Sequence, residues 1–161
     1  MNRRTLMKLA SAASLATSMS VGAARAQSIL LTVGGNIDGG ERAFSGADLE
    51  ALPQIEFETT TIWTEGMQRF SSPSIASLLE AVGAGEGNLT LKAINDYIVE
   101  MPRDVVEAAS PIIATRIDGA PFSRRDKGPL WLVFPYDSDT RFRAESIYAF
   151  SVWQLVGITI D

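Results

Sequence analysis

The sequence predicts a single α+β domain with a large share of β-strand. Short runs rich in β-branched and aromatic residues recur after residue 27, whereas only three short stretches suggest a helix. No segment repeats with a period of 20–50 residues, and about 135 residues beyond the N-terminal segment suffice for one hydrophobic core. Apolar residues make up 46% of the chain and charged residues 20%, a balance typical of a folded globular protein.

Three short helices are expected from their start and stop signals. A variant of the capping box at Ser45 begins the first helix, which ends before Pro53. Ser72-Pro73 begins the second, with proline at the first helical position, and Gly83 ends it. The third is predicted over residues 102–109, which begin with Pro, Arg and Asp.

About seven to nine strands are predicted from alternating or continuous apolar runs. Residues 130–134 are almost wholly apolar, which predicts a central strand covered on both faces. Asp118-Gly119 is the strongest hairpin signal in the chain. The other predicted strands are residues 28–33, 55–63, 89–94, 97–101, 111–117, 147–152 and 155–160.

The chain contains neither cysteine nor histidine. Without cysteine there can be no disulfide, cysteine nucleophile or thiolate metal site. Without histidine there can be no Ser-His-Asp triad and no histidine-ligated zinc or haem. Acid–base chemistry would have to use carboxylates, lysine, tyrosine or a bound cofactor, and no protein-ligated metal is predicted.

The first 26 residues have the three parts of a secretory signal. Arg3 and Arg4 precede a short apolar stretch over residues 9–22, and Ala24-Arg25-Ala26 supplies a small-x-small cleavage site. The paired arginines resemble a twin-arginine signal, and an ordinary signal peptide is the alternative. We therefore predict export to the periplasm with cleavage after Ala26, leaving one domain over residues 27–161.

The charge that remains after cleavage narrows the choice of partners. The N-terminal segment holds four basic and no acidic residues, so residues 27–161 have 10 basic and 19 acidic residues and a net charge of −9. This excess of acid argues against binding to nucleic acid. No later segment is long and apolar enough to predict a membrane span.

A cluster of cations stands out in this acidic chain. Arg124, Arg125 and Lys127 lie in one loop, and arginine presents a planar fork suited to phosphate or carboxylate. Three more arginines are close in sequence: Arg116, Arg141 and Arg143. The loop is either an anion-binding face or a solvated loop with Asp118 and Asp126 as partners.

Other polar and aromatic residues have two interpretations each. Asn95-Asp96-Tyr97 follows a predicted strand and either lines a pocket or forms a simple turn. Trp63 and Trp131 are expected in the core or a pocket wall, and Trp153 in packing. Residues 137–139, Asp-Ser-Asp, suggest calcium, but the later ligands of a calcium loop are missing, which favours a solvated turn.

Residues 111–135 resemble the central block of the molybdopterin-binding domain of the sulfite oxidase family. The block contains an apolar strand, an Asp-Gly hairpin and the run Gly-Pro-Leu-Trp-Leu-Val-Phe-Pro. Weaker similarities lie at Asp96-Tyr97, at residues 73–79 and at residues 151–155, so that the resemblance covers most of residues 55–160 in order. It implies a sulfite-oxidase-type fold and molybdopterin as a possible cofactor.

The departures from that family bear on function. The family holds molybdenum through a cysteine on the strand that matches residues 57–63, where this sequence reads Glu-Thr-Thr-Thr-Ile at 58–62. A neutral hydroxyl is a poor substitute for an anionic sulfur ligand. Val152 also stands in place of a lysine that contacts the cofactor. The remaining candidates for cofactor or anion binding are Arg69, Tyr97, Arg116, Arg124, Arg125 and Lys127.

Two functional hypotheses follow from these observations. In the first, the domain is a periplasmic binding or accessory protein for a small anionic ligand or a partner protein, without a molybdenum centre. In the second, it is an oxidoreductase whose pterin cofactor is held by cations and carries the metal without a protein thiolate. A subunit of a larger exported complex is a third possibility. The missing ligand types favour binding over catalysis, whereas a twin-arginine signal favours a cofactor.

Overall fold

The computed structural model describes residues 27–161, and the predicted signal segment lies outside them. The strands in this part of the chain are β1 (Ile29–Gly35), β2 (Glu41–Ser45), β3 (Gln54–Thr59), β4 (Gln68–Pro73), β5 (Leu89–Ala93), β6 (Ile98–Met101), β7 (Ile112–Ala114), β8 (Arg116–Ile117), β9 (Ala120–Pro121), β10 (Trp131–Val133) and β11 (Leu155–Ile160). The α-helices are α1 (Gly46–Glu50), α2 (Ile75–Ala81) and α3 (Glu145–Phe150), and single 3-10 turns occur at Arg103–Val105, Arg124–Asp126 and Thr140–Arg143.

The strands form three sheets. Five of them make a mixed sheet in the order β2-β1-β11-β5-β6, in which only the β1–β11 pair is parallel. Four make an antiparallel sheet in the order β3-β4-β8-β9, and β10 pairs with β7. Where β1 ends, Gly35 adopts a φ of 85°, and a Cβ there would overlap the Ile160 backbone. Glycine is therefore required at position 35, where the end of β1 pairs closely with β11.

One hydrophobic core fills the space between the sheets. Residues 130–134 are completely buried, as their apolar run predicts, although β10 pairs with β7 alone and is not the centre of a large sheet. The predicted Asp118-Gly119 hairpin is confirmed, since it joins β8 to β9 with both residues at positive φ. In the described residues, no helix has the length and apolar character needed to cross a membrane.

Two helices lie where their caps predict them. The Ser45 hydroxyl accepts a hydrogen bond from the Asp48 amide, and the Asp48 carboxylate accepts one from the Ser45 amide, which completes the capping box of α1. Helix α2 begins later than expected, because Pro73 is the last residue of β4 and Ser74 is the N-cap. Gly83 follows α2 in the left-handed conformation, as a helix stop requires.

Several predicted elements are wrong. Residues 147–152 read as a β-rich run, yet Glu145–Phe150 forms helix α3, whose Ile147, Tyr148 and Phe150 pack against the core. The helix expected over residues 102–109 is only a 3-10 turn, Arg103–Val105. Strands β2 and β4 were not predicted, because their mixed polar sequences gain their strand conformation from pairing with β1 and β3.

Candidate functional site

An apolar cleft opens where three connections of the fold meet. These connections are residues 60–67 between β3 and β4, residues 94–97 between β5 and β6, and residues 151–154 between α3 and β11. The cleft has a volume of about 290 Å³. It is lined by Trp63, Ala93, Asn95, Tyr97, Tyr148, Ala149, Ser151, Val152 and Trp153. Four of these side chains are aromatic, and none is charged.

Trp63 is the central side chain of the aromatic cluster around this cleft. Its ring lies edge-on to the rings of Trp131, Tyr148 and Trp153, with centroid separations of 5.8, 5.7 and 5.6 Å. It also approaches Tyr136, whose centroid is 6.2 Å away. Such edge-to-face contacts are favourable beyond the area they bury. Trp63 therefore joins the β3–β4 connection to the buried aromatic core.

A second cleft, of about 350 Å³, lies beside the first and shares Trp63 and Trp153 as walls. Its other lining residues are Arg124, Arg125, Lys127 and Gln154. We call residues 124–127 the cationic turn. Two tryptophans thus separate an aromatic cleft from a positively charged one.

The cationic turn is fixed to residue 154 by two hydrogen bonds. The Gln154 amide donates to the Lys127 carbonyl at 3.0 Å, and Gln154 Nε2 donates to the Arg124 carbonyl at 2.8 Å. Lys127 and Gln154 are both in the left-handed backbone region, with φ values of 73° and 53°. Non-glycine residues seldom adopt this conformation, and those that do often lie at binding sites.

The three cations of this turn differ from the other seven basic residues between positions 27 and 161. Five of the seven form ion pairs with carboxylates, and the guanidinium groups of Arg42 and Arg103 donate to backbone carbonyls. The side chains of Arg124, Arg125 and Lys127 form neither an ion pair nor a hydrogen bond with any described residue. Lys127 Nζ instead lies 5.8 Å from the Trp131 ring centroid and 5.6 Å from that of Trp153.

The six predicted site residues fall into two groups. Tyr97 lines the aromatic cleft, and the three cations of the turn line the adjacent one. Arg69 and Arg116 lie instead on the β3-β4-β8-β9 sheet, and neither lines either cleft. Arg69 pairs with Glu56 at 3.8 Å, and Arg116 pairs with Glu50 at 2.5 Å. Both arginines therefore have carboxylate partners, Glu56 on β3 and Glu50 at the end of α1.

The threonines at the end of β3 are held by a carboxylate from a distant loop. Asp137 Oδ2 accepts a hydrogen bond from the Thr60 amide at 2.5 Å, and Oδ1 accepts one from the Thr60 hydroxyl at 3.0 Å. Arg143 Nη2 donates to the same Oδ1 at 2.8 Å. The Asp137 amide in turn donates to the hydroxyl of the buried Thr59 at 3.2 Å. We call this arrangement the Asp137 lock.

A molybdenum centre with a protein ligand does not fit these residues. The Thr59 and Thr60 hydroxyls are engaged in the Asp137 lock, and the Thr61 hydroxyl bonds the Thr64 hydroxyl at 2.7 Å. No group of three His, Cys, Asp or Glu side chains suited to a metal ion occurs in residues 27–161. The whole chain has no cysteine, so it cannot supply the soft sulfur ligand that the resemblance would require.

The Asp137 lock predicts a pH-dependent stability. The hydrogen bond from the Thr60 amide, followed by that from the Thr60 hydroxyl, holds the pKa of Asp137 below its usual 3.8. A lowered carboxyl pKa contributes stability that is present above the usual pKa and is lost as the pH falls through the folded value. Asp137→Asn should therefore lower the melting temperature at pH 7 and lose this effect in strong acid.

Melting curves followed by circular dichroism from pH 7 to below pH 3 measure the difference. Asp104→Asn is the control, because the Asp104 carboxylate has no hydrogen bond or ion pair with the described residues. An Asp137→Asn deficit that stays constant through the acid range would show that the carboxylate charge does not hold the lock.

Two parts of the site were not found from the sequence. Tyr148 was hidden by the wrong assignment of residues 147–152 to a strand. The sequence predicts a solvated turn at Asp137. In the structure its carboxylate bonds Thr59 and Thr60, which precede it in the chain by 78 and 77 positions. No local signal in the sequence links those segments.

No family model and no curated protein matches the chain. Among solved structures, it is similar to the sulfane dehydrogenase SoxCD from Paracoccus pantotrophus, with a TM-score of 0.61 and 16% sequence identity. The match covers 81% of this chain and 37% of that one, so the chain spans less than two fifths of its structural neighbour. The chain has a sulfite-oxidase-type fold. The fold implied by residues 111–135 is therefore confirmed. A sequence identity of 16% supports a shared fold and nothing further.

Proposed function

We propose that this chain is an exported periplasmic binding protein that recognises an anionic group at the cationic turn and holds no protein-ligated molybdenum. The N-terminal sequence features support export. The sulfite-oxidase-type fold supplies the scaffold, and the engaged threonine hydroxyls support the loss of the metal ligand. The likeness to a dehydrogenase supports an origin among oxidoreductases.

The observation that carries the proposal is that the side chains of Arg124, Arg125 and Lys127 have neither an ion pair nor a hydrogen bond with residues 27–161. Cations in a domain of net charge −9 can readily find carboxylates, as Arg69, Arg116 and Arg141 do. Within the described part of the chain, Arg124, Arg125 and Lys127 instead line a cleft without a carboxylate partner, on a turn fixed by Gln154. Arginine forks and a lysine ammonium presented together suit a carboxylate, sulfate or phosphate group.

The shared tryptophan walls favour an anion with an apolar or aromatic part. A ligand whose charged group meets the cationic turn would place its remainder against Trp63 and Trp153. The aromatic cleft beyond them has no charged lining residue, so it would accept apolar surface without desolvating a charge.

The molybdenum content of the protein distinguishes this proposal from the oxidoreductase alternative. We expect protein purified from its native host, grown with ample molybdate, to contain far less than one molybdenum atom per chain and to release no pterin fluorescence after oxidation. Stoichiometric molybdenum or pterin would contradict the proposal and support a cofactor held without a protein sulfur ligand. Protein from molybdate-starved cells is the control.

A further inference from the structure

The three connections that form the aromatic cleft also carry most of the exposed large hydrophobic side chains. Seven large hydrophobic side chains are exposed in residues 27–161, and one of them, Ile29, lies on β1 outside these connections. The other six lie in these connections or at the residue that follows one. They are Ile62, Met67, Ile94, Tyr97, Ile98 and Trp153, which we call the apolar rim.

A ligand confined to the two clefts would leave most of this rim in water. Tyr97 and Trp153 line a cleft, but the other four rim residues line neither. Ile62 and Ile98 are 63% and 58% exposed. Grouped exposed apolar side chains around a cleft are typical of a protein interaction site, whereas isolated ones need no explanation.

The composition of this surface is also that of an interface. An aromatic depression lies at its centre, with tryptophan and tyrosine in its walls, and arginines lie at one side. Tryptophan, tyrosine and arginine are the residues that most often dominate binding energy between proteins. An edge strand of the five-stranded sheet, β6, begins at Ile98 within the rim.

The positive charge of the cationic turn indicates what kind of protein would bind this surface. A second copy of this chain would bring another net charge of −9, so the two copies would repel each other. An acidic segment on a different protein instead meets Arg124, Arg125 and Lys127 with complementary charge. We infer that the apolar rim and the cationic turn together dock a partner protein, through an apolar side chain that enters the aromatic cleft and adjacent Asp or Glu residues that meet the turn.

This inference rests on the proposed function, because it identifies the bearer of the anionic group as a partner protein. It is tested by placing the photo-crosslinking residue p-benzoylphenylalanine at Ile62 or Ile98 of the full chain, expressed in its native host. Ala51→p-benzoylphenylalanine is the control, since Ala51 is exposed and precedes β3, at the end of that strand opposite to residues 60–67. Mass spectrometry maps the partner residues at each crosslink.

We expect irradiation to yield one heterologous species from positions 62 and 98 and none from position 51. The mapped partner segment should hold an aliphatic or aromatic residue beside Asp or Glu. Adding Arg124→Glu and Arg125→Glu should lower the crosslink yield about tenfold or more through charge repulsion. Both arginines are exposed, so an unchanged melting temperature is expected and confirms that this variant folds.

Each other outcome overturns the inference. These outcomes are no crosslink, crosslinks only to a second copy, equal crosslinking from position 51, and a partner segment without acidic residues. Calorimetric titration of the same protein with inorganic phosphate separates the two claims. Phosphate binding without rim crosslinks leaves the proposed function standing and removes the partner. If the crosslinks persist after both charge reversals and the wild-type protein does not bind phosphate, the cationic turn is not an anion site and the proposed function is wrong as well.

Discussion

Replacing Trp131 by alanine should lower the free energy of unfolding by about 4 kcal/mol, the cost typical of removing a large aromatic side chain from a core. Trp131 is completely buried, and its ring lies edge-on to Phe70 and Trp63 at centroid distances of 5.6 and 5.8 Å. Its indole Nε1 also donates to the Ser151 carbonyl at 3.2 Å. Urea unfolding followed by circular dichroism measures the change.

Trp153→Ala is the matched control for this variant. Trp153 is 37% exposed at the rim of the aromatic cleft, so its removal should cost less folding stability, about 2 kcal/mol. Equal losses of folding stability for the two variants would show that Trp131 is not the buried support of the cluster and Trp153 its accessible wall. The description of the clefts would then be wrong.

Replacing Arg124, Arg125 and Lys127 together by alanine should weaken the binding of a small anion about 100-fold. Each exposed cation is expected to contribute about 1 kcal/mol, and a loss of about 3 kcal/mol corresponds to two powers of ten in affinity. Titration calorimetry with 1-naphthyl phosphate measures the loss. The wild-type affinity should also fall as salt is added, because the contacts are partly screened.

A second triple variant controls for the change in net charge. Arg69, Arg116 and Arg141 are paired with Glu56, Glu50 and Glu107, outside both clefts, and their replacement by alanine removes the same number of charges. We expect this variant to bind 1-naphthyl phosphate about as tightly as the wild type. Equal weakening by both triple variants would assign the effect to overall charge and not to the cationic turn.

The parts of the fold that are specified locally were predictable. Helix α1 follows from the Ser45 capping box, and the β8–β9 hairpin follows from Asp118-Gly119, because neighbouring residues supply all the required bonds and conformations. Helix α3 was not predictable in this way. Its Ile, Tyr and Phe content favours a strand, and packing of Tyr148 and Phe150 on the core decides the outcome.

The candidate site was predictable only in part, for a similar reason. The sequence groups six cations within a short stretch, but the fold separates them. Arg116, Arg141 and Arg143 pair with acidic residues 66, 34 and 6 positions away, whereas the side chains of the cationic turn pair with no acidic residue that the structure describes. The aromatic cleft likewise needs three connections to meet, and no one of them alone indicates a cavity.

The central claim is that the cationic turn binds an anion in a sulfite-oxidase-type fold that has no protein ligand for molybdenum. Calorimetric titration of metal-free wild-type protein with 1-naphthyl phosphate, beside inorganic phosphate, tests it most directly. We expect one saturable site per chain for both probes. The affinity for the naphthyl ester should be higher, because its ring can pack against the tryptophan walls. Titration heats indistinguishable from those of the Arg124, Arg125 and Lys127 triple variant would contradict it.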